Sequence, residues 1–120
     1  MTRLLFAACL ATLALPLAAD PPRIVAAEAS RDEMGWRISV TLAHPDTGWD
    51  HYADGWEIVD AEGNRLGYRE LHHPHVEEQP FTRSLRDVVL PDGVDQIFVR
   101  ARCSVDGWGE ARYPITLRSD

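Results

Sequence analysis

The sequence predicts an all-β fold, a single antiparallel sandwich of about seven strands. Two observations predict it. Apolar residues recur at every second position in three separate stretches, and polar turn signals divide the chain into short extended runs at regular spacing. No stretch keeps the 3.6-residue period of an amphipathic helix.

Taken in order, residues 23–29 form a first, weakly patterned strand. In residues 34–43, Trp36, Ile38, Val40 and Leu42 alternate with Arg37, Ser39 and Thr41, the pattern of a half-buried strand. Strands at 53–60 and 64–71 flank the hairpin turn Asp60-Ala61-Glu62-Gly63-Asn64. A strand at 82–90 leads into the turn Pro91-Asp92-Gly93. Residues 94–105 put Ile97, Val99, Ala101, Cys103 and Val105 on one face and Arg100, Arg102 and Ser104 on the other. Tyr113, Ile115 and Leu117 alternate with Arg112, Thr116 and Arg118 in the last strand. Trp36 and Trp56 belong between the sheets. Strands of this number and spacing fit a sandwich of immunoglobulin- or fibronectin-like type, with a closed barrel as the alternative.

Ahead of the domain, residues 1–19 read as a secretory signal peptide. Arg3 supplies a positive start, residues 4–17 are almost unbroken apolar, and Ala18 and Ala19 offer small residues for cleavage before Asp20-Pro21-Pro22. The apolar run is too short to span a bilayer comfortably. The chain therefore divides into a leader, 1–19, and a β-sandwich domain, 20–120, with a periplasmic or secreted location and no stable membrane insertion once the leader is removed. Cys9 falls inside the leader, so Cys103 has no partner for an internal disulfide and the exported domain relies on packing.

The chain carries a net charge of −7, and all of its basic residues are arginine. Arg3 is the one charged residue in the leader, so cleavage leaves a still more acidic domain. An acidic surface without a basic stripe excludes nucleic acid and anionic membrane surfaces as natural partners.

Antiparallel strands reverse direction in turn, so alternate connections gather at opposite poles. One pole receives the ordinary connections at 30–33, 60–64 and 91–93. The other receives 44–54, 72–81 and 106–109, which hold all five histidines, two tryptophans and several carboxylates. Such a pole, carried on a rigid scaffold, is where a site is expected.

Imidazoles favour copper, zinc, nickel and iron. His73 and His75, two residues apart, can face one side, and His51 from the neighbouring segment can join them. This predicts a divalent transition metal, copper or zinc, held by His73, His75 and His51, with His72 or His44 as substitutes. Asp46, Asp50, Glu77 and Glu78 are further candidate donors. The competing structural reading has these histidines bond backbone carbonyls and brace the loops, and a third has them titrate beside the acidic residues. No serine or threonine lies in a nucleophile motif, and adjacent carboxylates such as Glu77 and Glu78 do not make an acid–base pair, so hydrolysis is not expected.

Trp49, Tyr52 and Trp108, with Asp50, Glu77, Glu78 and Arg83, form the alternative: a metal-free surface for an unidentified protein or small ligand. Arg83 is expected to pair with Glu77 or Asp50. Cys103, on the apolar face of its strand, reads first as a small buried hydrophobe.

Two resemblances bear on these readings. Cys103-Ser104-Val105-Asp106-Gly107 partly resembles the Cys-x-x-His-Gly iron loop of superoxide reductases, also immunoglobulin-like sandwiches, and His73-Pro74 is similar to a His-Pro of that family. Asp106 stands where the family has histidine. The resemblance implies, as a third reading, a redox metal enzyme. Residues 48–57 (GWDHYADGWE) and 73–85 (HPHVEEQPFTRSL), with Asp106-Gly107-Trp108-Gly109, resemble a family of small exported bacterial proteins of uncharacterised function. That resemblance implies export and a single domain.

Overall fold

A computed structural model describes residues 20–117, all β, with no helix among them. The leader expected at 1–19 and Arg118 lie outside the described residues. Eight strands follow one another: β1 (Arg23–Asp32), β2 (Gly35–Ala43), β3 (Ala53–Val59), β4 (Arg65–Glu70), β5 (Phe81–Val88), β6 (Gln96–Cys103), β7 (Gly107–Trp108) and β8 (Tyr113–Thr116). They form two antiparallel sheets, one in the order β1-β2-β5 and the other β4-β3-β6-β7, with β8 also paired to β6. The arrangement is a β-sandwich.

The alternation in β2 and β6 explains the core. Ile38, Val40 and Leu42 from one sheet meet Ile97, Val99 and Ala101 from the other, and Trp56, Ile58, Leu71 and Phe81 fill the space between. Each of the isoleucine, valine, leucine and phenylalanine side chains among them contributes about 1.5–3 kcal/mol on burial. Trp56 is buried as expected, whereas Trp36 is only partly buried at the margin of the core, with the Arg31 guanidinium 4.9 Å from its ring centroid. Val105, expected to share the apolar face of β6, is exposed because the strand ends at Cys103.

β7 departs from expectation. Residues 107 and 108 pair with Cys103 and Arg102 and continue, as a two-residue strand, the edge that β8 occupies further along β6. Gly107, at φ 76°, makes the reversal that lets so short a segment double back.

The register fixes the poles. Leu42, near the end of β2, pairs with Phe81 at the start of β5, and Ala53 at the start of β3 pairs with Cys103 at the end of β6. Gly55 pairs with Glu70 at the end of β4. The connections β2–β3, β4–β5 and β6–β7 therefore meet at one pole.

Candidate metal centre

The β2–β3 connection folds back on itself. Gly48, at φ 142°, and a backbone exchange between Thr47, Gly48 and His51 close a tight turn (Thr47 N to His51 O 3.0 Å, His51 N to Gly48 O 3.2 Å). That turn returns His51 over His44, with ring centroids 4.9 Å apart and planes at 76°.

His44 is buried, and its surroundings explain why burial is tolerated. Its Nδ1 lies 2.6 Å from Asp46 Oδ1, itself buried. The same Asp46 oxygen accepts the Ala53 N–H at 2.9 Å, and Oδ2 accepts the His75 N–H at 2.8 Å. A carboxylate only accepts, so Nδ1 of His44 is a donor and Nε2 is turned away from Asp46. Nε2 lies 2.9 Å from the Asp20 carbonyl oxygen.

Cys103 completes the group. Its side chain is fully buried, as the alternation of β6 predicts, but its surroundings are polar as well as apolar. The ligand atoms of His44, His51 and Cys103 all lie within 4.8 Å of one another. His51 Nε2 is buried with no hydrogen-bond partner among the described residues, 3.7 Å from Asp106 Oδ2. Cys103 Sγ lies 3.8 Å from the same oxygen, and the Val105 N–H points at the sulfur from 3.5 Å. A tetrahedral ion with bonds of about 2.0–2.3 Å spaces its ligands about 3.3–3.8 Å apart, so this group needs to close by only about an ångström to hold one. Two imidazoles and a thiolate suit copper or zinc. Carboxylates commonly fix the tautomer of a metal-ligating histidine by accepting from its other nitrogen, and Asp46 Oδ1 accepts from His44 Nδ1 in the same way.

The other expected ligands lie apart from this group. His72 and His73 are exposed. His73 and His75 do come together, with ring centroids 4.6 Å apart, which the two-residue spacing anticipates. His75, however, is buried with its ring stacked on Phe81 at 3.9 Å, and its Nε2 accepts from Arg83 at 2.9 Å. Burial first, then the positive charge of Arg83, then His73, hold the His75 imidazole below its ordinary pKa. Gln79 ties this loop to His44, accepting the His44 N–H at 2.9 Å and donating to the His75 carbonyl at 2.8 Å.

Of the remaining candidates, Glu77 and Asp50 are exposed, and Arg83 pairs with Glu78 at 3.3 Å in place of either expected partner. Trp49 is 68 % exposed and meets Tyr52 edge-to-face at 5.6 Å, so it does not plug the sandwich. Trp108 packs with Tyr68 at 6.2 Å and with Arg65 and Arg100, each 5.6 Å from its ring, because β7 places it at the sheet edge. Cys103, Asp106, Asp46 and Gln79 are the residues that site reasoning from the sequence undervalued. The usable signals were a cysteine at the very end of a strand that enters the histidine-bearing pole, and an Asp two residues after His44.

The chain is similar to a protein of Halomicrobium mukohataei (strain ATCC 700874 / DSM 12286 / JCM 9738 / NCIMB 13541) that bears the description "Putative lipoprotein". It is 45% identical over 72 residues, which cover 60% of this chain and 35% of the relative, so the chain spans about a third of that protein's length. No family model and no solved structure matches. None of these comparisons returns a superoxide reductase.

Proposed function

We propose that the protein is an exported metal-binding module, periplasmic or secreted, that takes copper or zinc at His44, His51 and Cys103. The observation that carries this reading is the convergence of two imidazoles and a thiol at one buried place, with His44 oriented by Asp46. The leader-like sequence at 1–19 and the relative's description as a lipoprotein both support export. Binding or carriage of the ion is sufficient; no catalytic step is needed.

The test uses the chain starting at Asp20. Dialysis against copper, zinc, nickel and iron(II), followed by measurement of bound metal and melting temperature, separates the metals, since an ion that binds only the folded state raises its stability. One equivalent of copper or zinc with a raised Tm is expected. Cys103→Ser is expected to remove the thiolate-to-copper absorption, and His44→Ala or His51→Ala to weaken binding, whereas a His73→Ala/His75→Ala pair is expected to keep it. Loss of binding in that pair alone moves the centre to the 71–80 loop. No bound metal and no thermal shift favour the second reading, an interaction surface, whose specific support is the exposure of Trp49 against Tyr52.

A further inference from the structure

The backbone of Asp20 faces the same group of donors. Its nitrogen lies 3.2 Å from Asp106 Oδ2, the oxygen that stands 3.7 Å from His51 Nε2 and 3.8 Å from Cys103 Sγ. Its carbonyl oxygen lies 2.9 Å from His44 Nε2. Both backbone atoms of this one residue therefore border the proposed centre, and Asp20 is also the residue at which cleavage of the leader is expected.

We propose that the amino group released by cleavage between Ala19 and Asp20 becomes a ligand of the His44–His51–Cys103 centre, so that metal loading waits for removal of the leader. This rests on the metal reading above. In the uncut chain the Asp20 nitrogen belongs to a peptide bond, and its lone pair is delocalised into the carbonyl. While it keeps its proton, such a nitrogen donates a hydrogen bond, as it does to Asp106, and offers no lone pair to a metal. A leader-removing protease adds water across the bond, leaving a carboxylate on Ala19 and an amine on Asp20. Once its extra proton passes to solvent, the amine has a free lone pair.

The chemistry of the following residue narrows the geometry. Pro21 has no N–H, so copper cannot recruit a second, deprotonated backbone nitrogen there. Asp20 is left to bind through its amine together with its own carbonyl, a five-membered chelate; the carbonyl already lies 2.9 Å from His44 Nε2, and the nitrogen lies 3.2 Å from Asp106 Oδ2 at the edge of the group. The segment is also held in place. Pro22 is buried, and Pro21 packs so closely on Gly109 that a Cβ at that glycine would lie 3.1 Å from the proline Cβ.

The experiment compares three chains: one starting at Asp20, one retaining Ala19, and one starting at N-acetylated Asp20. Each is titrated with zinc and, separately, with copper in competition with a chromophoric chelator, and each is melted without metal. Acetylation is expected to weaken zinc binding by about tenfold or more, with retention of Ala19 acting in the same direction, while the metal-free melting temperatures agree. Equal affinity in the free and acetylated chains overturns the role of the amine and leaves the histidine–cysteine centre standing. Failure of all three chains to bind zinc or copper overturns the centre itself, and this inference with it.

Discussion

Replacing Asp46 should harm the fold more than its place in a loop suggests. Its carboxylate accepts from the His44 ring at 2.6 Å, from the Ala53 N–H at 2.9 Å and from the His75 N–H at 2.8 Å, all buried. Asp46→Ala leaves three donors without an acceptor, each costing about 1–3 kcal/mol. A total of about 3–9 kcal/mol is expected, the lower end applying where water enters the space the carboxylate leaves. Against a total stability of about 5–15 kcal/mol, that is a large fraction. At about 4–8 °C per kcal/mol for a domain of this size, the melting temperature falls by roughly 12 °C or more. Asp46→Asn keeps the shape but offers one acceptor oxygen and turns an amide N–H toward a donor, so it should cost about 1–3 kcal/mol. Urea unfolding followed by the fluorescence of the buried Trp56 measures both. An Asp46→Ala protein within about 1 kcal/mol of the parent would refute the reasoning, since that is the effect of an ordinary substitution.

Other consequences are as direct. Because His75 titrates below its ordinary 6.5 in the fold, the unfolded chain takes up a proton first on acidification. The contribution of His75 to stability is thus fully present above about pH 6.5 and declines as pH falls toward the folded value; urea midpoints across that window should drop with pH, and His75→Gln should flatten the dependence. Gly35→Ala places a Cβ 2.5 Å from the Val88 carbonyl oxygen at a φ of 149°, and should cost about 1–3 kcal/mol by the same urea assay. Trp49→Ala, at an exposed position, should change stability by no more than about 0.5 kcal/mol, so any partner whose binding it weakens is gripped by Trp49 itself.

The strands were legible where one face is core and the other solvent. From Ile38 onward in β2, and throughout β6, every second residue is buried, and the alternation shows in the sequence. β7 was not legible, because two residues carry no period and the pairing depends on a reversal at Gly107. The pole followed from strand count and direction, since Leu42 to Phe81 and Ala53 to Cys103 are the pairings that an alternating order requires. What spacing could not supply was the direction of each side chain within the loops. His73 and His75 do lie together, yet Arg83 and Phe81 occupy the His75 ring. Cys103 looked fully accounted for by burial, and the turn at 48–51 adds the His51 imidazole to that of His44 beside its sulfur.

The same contacts that hold the pole together aim its donors, and this couples the fold to the proposed centre. Asp46 grips His44 with one oxygen and the 71–80 loop with the other, while Gln79 bridges His44 and His75 a second time. A metal drawing on His44 Nε2 would be tightened through a residue that is not its ligand. Outer-shell carboxylates of this kind typically alter affinity by about 10–100-fold. By linkage, an ion that binds only the folded state stabilises it in turn. Metal should therefore restore stability less effectively to Asp46→Asn than to the parent, whereas a surface change such as Trp49→Ala leaves the restoration intact. Unequal restoration between those two variants is what distinguishes a built centre from donors that merely lie close together.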